Sequence, residues 1–321
     1  MTLTQTAIDR ELLLVPVPAR PDDRVTGARP AGPEEAGAAV PTRSAGRSVL
    51  LAALVALAVL SIGMVVQLTV ISPLEYRSAQ VSLLNTFRTQ VALGTAPTGP
   101  VGADHHLLPL GTPVALISIP SLGVRSVVVE GTTSAVLAKG PGHYRNTVFP
   151  GGAGTSVVLG RAAAYGGPFG RIADLRRGQL ITVTTQVGTS RFRVVRVRPA
   201  GARVVPAASG TARLTLGTAS GPAYAPSGVV WVDADKVGRP LAATAVPAIQ
   251  LLPGEQPLAT DTSTLWALLL WLEVLAVLLA GAVWAWRRWG RAQAWIVFTA
   301  PMLLVWSFIA DQIARLLPNL M

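Results

Sequence analysis

Proton transfer near neutral pH falls in this chain to three histidines, His105, His106 and His143, and the chain contains no cysteine. The missing thiol excludes disulfides, thiolate metal sites and thiol catalysis. The carboxylates are scattered. Glu130, Asp104 and Asp174 stand apart, while Asp233 and Asp235 are spaced i, i+2 at the end of a β-rich run and so share one strand face. With no histidine or third carboxylate beside them, they read as solvated strand-end residues rather than metal ligands or an acid–base pair. The glycines between 150 and 170 lack a phosphate-binding lysine and open no convincing helix, which argues against nucleotide chemistry. No metal and no cofactor is expected.

The elements that position these residues fall into membrane-like and β-rich blocks. Half of the 321 residues are apolar and 13% are charged, with the apolar excess gathered into a few runs. The formal net charge is +11, and only Lys139 and Lys236 among the 27 basic residues are lysine. This charge suits anionic lipid or cell-wall polymer, and no interleaving of basic and aromatic residues suggests nucleic acid.

Residues 1–47 carry six arginines, from Arg10 to Arg47, without apolar periodicity, and are expected to be a disordered tail. Residues 48–71 are almost wholly apolar, with Gln67 the one strongly polar interruption, and are long enough to cross a bilayer, which takes roughly 20 residues as a helix. The long charged tail before this run, and the lack of a small-residue cleavage site, favour a retained anchor over a signal peptide. Two further spans are expected at 264–286 and 292–310, separated by Arg287, Arg288 and Arg291. The positive-inside rule puts the tail and this loop in the cytoplasm, with the central segment and the far end of the third span outside. Trp266, Trp284, Trp286 and Trp289 fit interfacial belts. Glu273 lies deep in the second span, where ionisable residues usually face the bundle interior; Gln67 and Arg315 are its candidate partners.

Outside, a helical stalk (73–93) and a Gly/Pro/Thr linker lead to short β-rich runs near 113–119, 124–130, 155–160, 179–186, 190–198, 212–218 and 228–234. Seven or eight such strands over 111–244 predict an all-β closed barrel or sandwich, and a second linker at 245–263 returns the chain to the membrane.

The β-rich segment resembles the sortase family, most closely the class E type of Gram-positive bacteria. The resemblance rests on motifs that recur in order. They are Gly111-Thr-Pro-Val-Ala-Leu-Ile-Ser-Ile-Pro120, Val129-Glu-Gly131, Gly140-Pro-Gly-His-Tyr144, Pro150-Gly-Gly-Ala-Gly154 with Val157-Val-Leu-Gly160, and Gly167-Pro-Phe169. Asp174-Leu175, Arg177-Gly178, Ile181-Thr-Val-Thr184 and Leu214-Thr-Leu-Gly-Thr218 follow. The resemblance implies a β-barrel in which a cysteine attacks a sorting peptide, a histidine moves the proton and an arginine stabilises or positions the substrate. All three positions are altered. The family's Gly-His-Arg reads Gly160-Arg161-Ala162, its Leu-Thr-Leu-x-Thr-Cys strand ends in Ala219, and its arginine falls near Ser227. Ser220 follows Ala219, but a one-residue shift along a strand aims it at the opposite face. His143, the base it would need, sits in the ordinary lead-in motif and reads as structural.

The expectation is therefore a membrane-anchored pseudoenzyme of the cell envelope. Its groove, carrying Arg161 and Ala219, would bind an extended peptide or secreted cell-wall protein, with Arg161 bringing a permanent positive charge that favours acidic segments. An active sortase or another membrane protein is a further candidate partner. Two alternatives stay open: a structural subunit of a membrane complex, and a transpeptidase or hydrolase with relocated serine chemistry.

Overall fold

The computed structural model describes residue 54 and residues 57–321, apart from 103–105, 203–206, 209, 243–245 and 247–249. The expected tail at 1–47, the start of the first span, Asp104 and His105 lie outside the described residues. The β-rich runs form eight strands: β1 (Pro113–Ile119), β2 (Val124–Glu130), β3 (Gly142–His143), β4 (Gly154–Leu159), β5 (Leu180–Thr185), β6 (Gly188–Arg198), β7 (Ala212–Ser220) and β8 (Gly228–Lys236). They close into a barrel in the order β1-β2-β3-β4-β7-β8-β6-β5. The strand that the sequence does not disclose is β3. Its two residues pair parallel to β2 and antiparallel to β4, and so complete the ring.

Alternation drives the closure. Along β6, Ser190, Phe192 and Val194 turn inward while Arg191 and Arg193 stay exposed. Phe192 joins Ile117, Val128, Ile181, Leu214 and Val232 in one apolar core. The tight β1–β2 connection ends on Gly123 at φ 67°, a left-handed conformation that favours glycine. Between β4 and β7 the pairing is parallel, matching residues 154–159 with 212–217.

Among the described residues three helices are long and apolar enough to cross a membrane: α1 (Leu57–Ala92), α3 (Leu265–Trp289) and α4 (Arg291–Leu316). A one-turn helix, α2 (Ser134–Leu137), lies between β2 and β3. The expected division between span and stalk is absent, because α1 runs through it. A wide π-type turn over Gln67–Ile71 marks the place where Pro73 has no amide to offer the preceding turn.

The stalk is also no free spacer, since α1 is fastened across β2. Tyr76 and Ser126 share a 2.6 Å hydroxyl contact. The Gln80 amide accepts from Val127 N at 2.7 Å and donates to Val127 O and Lys139 O at 3.2 and 2.8 Å. Phe87 packs on Val127. The described part of the expected linker at 245–263 likewise packs against the barrel, with Glu255 fully buried and 3.8 Å from Arg145.

Candidate functional site

The three altered positions meet at one end of the barrel. Leu159 of β4 stands opposite Gly217 of β7, and the pairing continues one step through Gly160 N to Gly217 O at 3.0 Å. Thr218 Oγ1 donates to Gly160 O at 2.8 Å, so Arg161 leaves β4 beside Ala219. On β8, Val229 is the direct partner of Ala219, and Ser227 N donates to Ser220 O at 2.8 Å. Cross-strand partners share a face, so Val229 is what the groove presents next to Ala219; Ser227 lies two residues further out and is exposed. Gly217 is required here. A Cβ on it would stand 2.6 Å from the Trp231 ring and 2.7 Å from Leu159.

Arg161 does not offer a free charge to this groove. It is fully buried, with Nη2 donating to the Ser134 carbonyl and hydroxyl at 2.9 and 2.8 Å and Nη1 donating to the Met321 carbonyl at 3.3 Å. Its guanidinium lies 4.8 Å above the Tyr165 ring. Burial pushes its pKa down to about 10, against the raising influence of Tyr165, which leaves it charged at neutral pH. The expectation of an accessible cation selecting acidic peptides is thus corrected: the guanidinium is buried and held by Ser134 and Met321 within the fold.

His143 is committed too. Its Nδ1 lies 2.9 Å from Glu130 Oε2, its Nε2 lies 3.0 Å from Val148 O, and Phe149 packs edge-on against the ring. The ladder places it opposite Val158, which faces Leu216, three residues short of Ala219. Ser220 shares its strand face with Leu214, Leu216 and Thr218, whereas Ala219 shares the other with Thr215 and Gly217. Its buried hydroxyl has no hydrogen-bond partner among the described residues. Among the described residues no base is in place to activate it. His106 is exposed and sits before the barrel.

Asp233 and Asp235 do share a face, but Asp233 is not a solvated strand-end residue. It is fully buried and held by Arg198 (2.8 and 3.1 Å), Arg196 (2.9 Å) and Thr215 (2.9 Å) across three strands. Burial alone would raise its pKa; the hydrogen bonds from Arg198, Arg196 and Thr215 outweigh it and hold the carboxyl below its ordinary range. Asp235 is paired with Arg213 at 2.7 and 3.1 Å. Among the described residues no three His, Asp or Glu side chains gather as a metal site.

Glu273 departs from expectation as well. It is exposed on α3 and not turned into the bundle, and neither expected partner reaches it. Arg315 pairs with Asp311 at 2.8 Å, and the buried amide of Gln67 has no hydrogen-bond partner among the described residues.

The largest feature beyond the reach of sequence reasoning is the segment after α4. Pro318 ends the helix, and residues 319–321 enter the barrel end, each at most 3% exposed. Leu320 packs with Leu137 and Leu159, flanked by Ala219, Trp231 and Leu258, and its carbonyl accepts from Ala162 N at 2.8 Å. A cavity of about 180 Å³ remains beside it, walled by Ala162, Ala219, Pro222, Tyr224 and Met321.

A closed barrel of parallel and antiparallel strands, with its site at the paired ends of β4, β7 and β8, is the architecture the resemblance implies. The Sortase domain family matches residues 117–236, which supports sortase-family membership of this barrel segment. Sortase D of Bacillus subtilis (strain 168) is 26% identical over 88 residues, which are 27% of this chain and 43% of that protein. The chain thus spans less than half the length of that relative. Among solved structures, a Sortase D5 transpeptidase of Clostridium perfringens is 22% identical with a TM-score of 0.42, covering 50% of this chain and 99% of that one. Sortase E1 of Streptomyces coelicolor, with a tripeptide in its active site, is 25% identical with a TM-score of 0.36, covering 40% and 91%.

Proposed function

We propose that this chain is a membrane-anchored sortase-family protein that holds an extended peptide or secreted envelope protein without cleaving it. One observation carries this reading: where the family's chemistry is expected, Ala219 supplies no nucleophile and Arg161, at the base position, is locked by Ser134 and Met321. Acyl transfer needs a nucleophile activated by a base within hydrogen-bond reach. A groove beside strand ends can still bind extended chain through main-chain hydrogen bonds and side-chain pockets. The barrel lies outside the cell in this reading, because the helical hairpin bearing Arg287, Arg288 and Arg291 is at the opposite end of α3 and α4 from the barrel contacts of Asp311 and Ala314.

A second reading, a structural subunit of a membrane complex, draws support from how firmly the helices join the barrel. Tyr165 donates to Asp311 at 3.0 Å, and Ala314 packs against Ala164 and Tyr165. Ala219→Leu separates the two, since it fills the cavity walled by Ala162, Pro222, Tyr224 and Met321. Loss of captured envelope peptides with intact membrane assembly supports the peptide-binding reading; partner co-purification untouched by this variant supports the structural one. Labelling of Ser220 by a broad serine-reactive probe would instead revive relocated catalysis.

A further inference from the structure

Residues 317–321 are held by contacts that read their chemistry. Leu317 is extended (φ −64°, ψ 149°), and Pro318 fixes the backbone that follows. The Asn319 Nδ2 donates to three carbonyl oxygens, Thr132 at 2.8 Å, Gln256 at 2.9 Å and Gly254 at 3.2 Å, while its backbone N donates to Ala259 O at 2.9 Å. The three acceptors read the N–H donors of this side chain, while its Oδ1 is buried with no hydrogen-bond partner among the described residues. A carboxylate there would set its oxygens against carbonyl oxygens with no donor between them. The next residue, Leu320, fills a closed apolar slot between Leu137 and Leu159. Two backbone acceptors of the segment are then matched by donors of the β4 end, Ala162 N and Arg161 Nη1. The buried parts of the groove are therefore built around a hydrogen-bond-donating side chain followed by an aliphatic one.

We infer that residues 317–321 are the groove's resident ligand, and that the groove accepts in their place an extended peptide of the same chemistry, proline then asparagine then an aliphatic residue. This rests on the peptide-binding reading above and names its ligand class by two side chains, a hydrogen-bond donor and the aliphatic group after it. Intramolecular occupancy has a high effective concentration, and a competing peptide reaches the site only as the segment leaves.

The test uses the full chain in lipid nanodiscs and a fluorescein-labelled Leu-Leu-Pro-Asn-Leu-Met peptide, amidated at its end. The chain lacking residues 317–321 is expected to bind this probe at least tenfold more tightly than the intact chain. The intact-length variant Asn319→Asp is expected to do the same, because its segment no longer fits the three carbonyls. A probe with Asp in place of Asn is expected to lose at least tenfold in affinity for the shortened chain. An unchanged far-ultraviolet dichroism spectrum establishes that each variant is folded. Equal binding by intact and shortened chains, or no discrimination between Asn and Asp probes, overturns the inference. If the shortened chain refuses this probe but captures other extended peptides, the ligand class falls and peptide binding stands. If it captures none, both fall.

Discussion

Ala219 and Arg161 define the chemistry at the level of single residues. Restoring a thiol alone is not expected to restore turnover, since the guanidinium of Arg161 is charged at neutral pH and accepts no proton. Ala219→Cys should therefore give no peptide–amine product by mass spectrometry, while a turnover product would show that another base serves the site. Asp233 carries a stability prediction. Removing one partner of a buried ion pair costs about 3–5 kcal/mol, and Asp233→Asn should fall at the lower end because Arg196 is 40% exposed. Because its folded pKa is depressed, the carboxylate's contribution is present above the ordinary value of 3.8 and is lost as pH falls through the lower folded value. Melting curves from pH 6 downward should show an acid-dependent loss in the native chain that is smaller in Asp233→Asn; parallel curves would contradict the assignment. Spacing alone puts Asp233 and Asp235 on one face, but it does not disclose their partners. Arg196, Arg198 and Arg213 lie on other strands, and only the register of β6, β7 and β8 brings them opposite.

Elements differ in how much of themselves they write into the sequence. Long β-branched runs such as Val124–Glu130 and Gly228–Lys236 announce strands, because alternation and branching are local properties. The two residues of β3 are too short for any period, and their pairing is decided by β2 and β4. The same holds for α1. Its helical period is legible, whereas its docking depends on Gln80 meeting Val127, 47 residues away. Gln80→Ala strands the Val127 amide and should cost about 1–3 kcal/mol, read as a lower melting temperature and faster hydrogen exchange along β2. Unchanged exchange there would return the stalk to the role of a spacer. In the barrel core, Phe192→Ala should cost about 3–5 kcal/mol by chemical denaturation of the extramembrane signal.

At the scale of the whole molecule, the barrel and the spans read clearly from sequence, but their union does not. Nothing local marks Leu317–Met321 as a groove occupant, since its partners lie at 132, 161, 162 and 254–259 and are assembled only by the closed fold. Glu273 illustrates the converse. Its depth in a span is legible, and its exposed face on α3 is a matter of helix packing that composition does not encode. The absence of cysteine makes orientation directly measurable. Single cysteines introduced at Arg288 and at Arg191 should be labelled from opposite sides of a sealed membrane, and labelling from one side would refute the proposed topology. The central claim, a sortase-family barrel that binds without acyl transfer, is met most directly by incubating the full chain with a panel of extended peptides and an amine acceptor and weighing every species. The account predicts peptides recovered at their original mass and a protein of unchanged mass; a cleaved peptide, an amine-joined product or an acylated chain would contradict it.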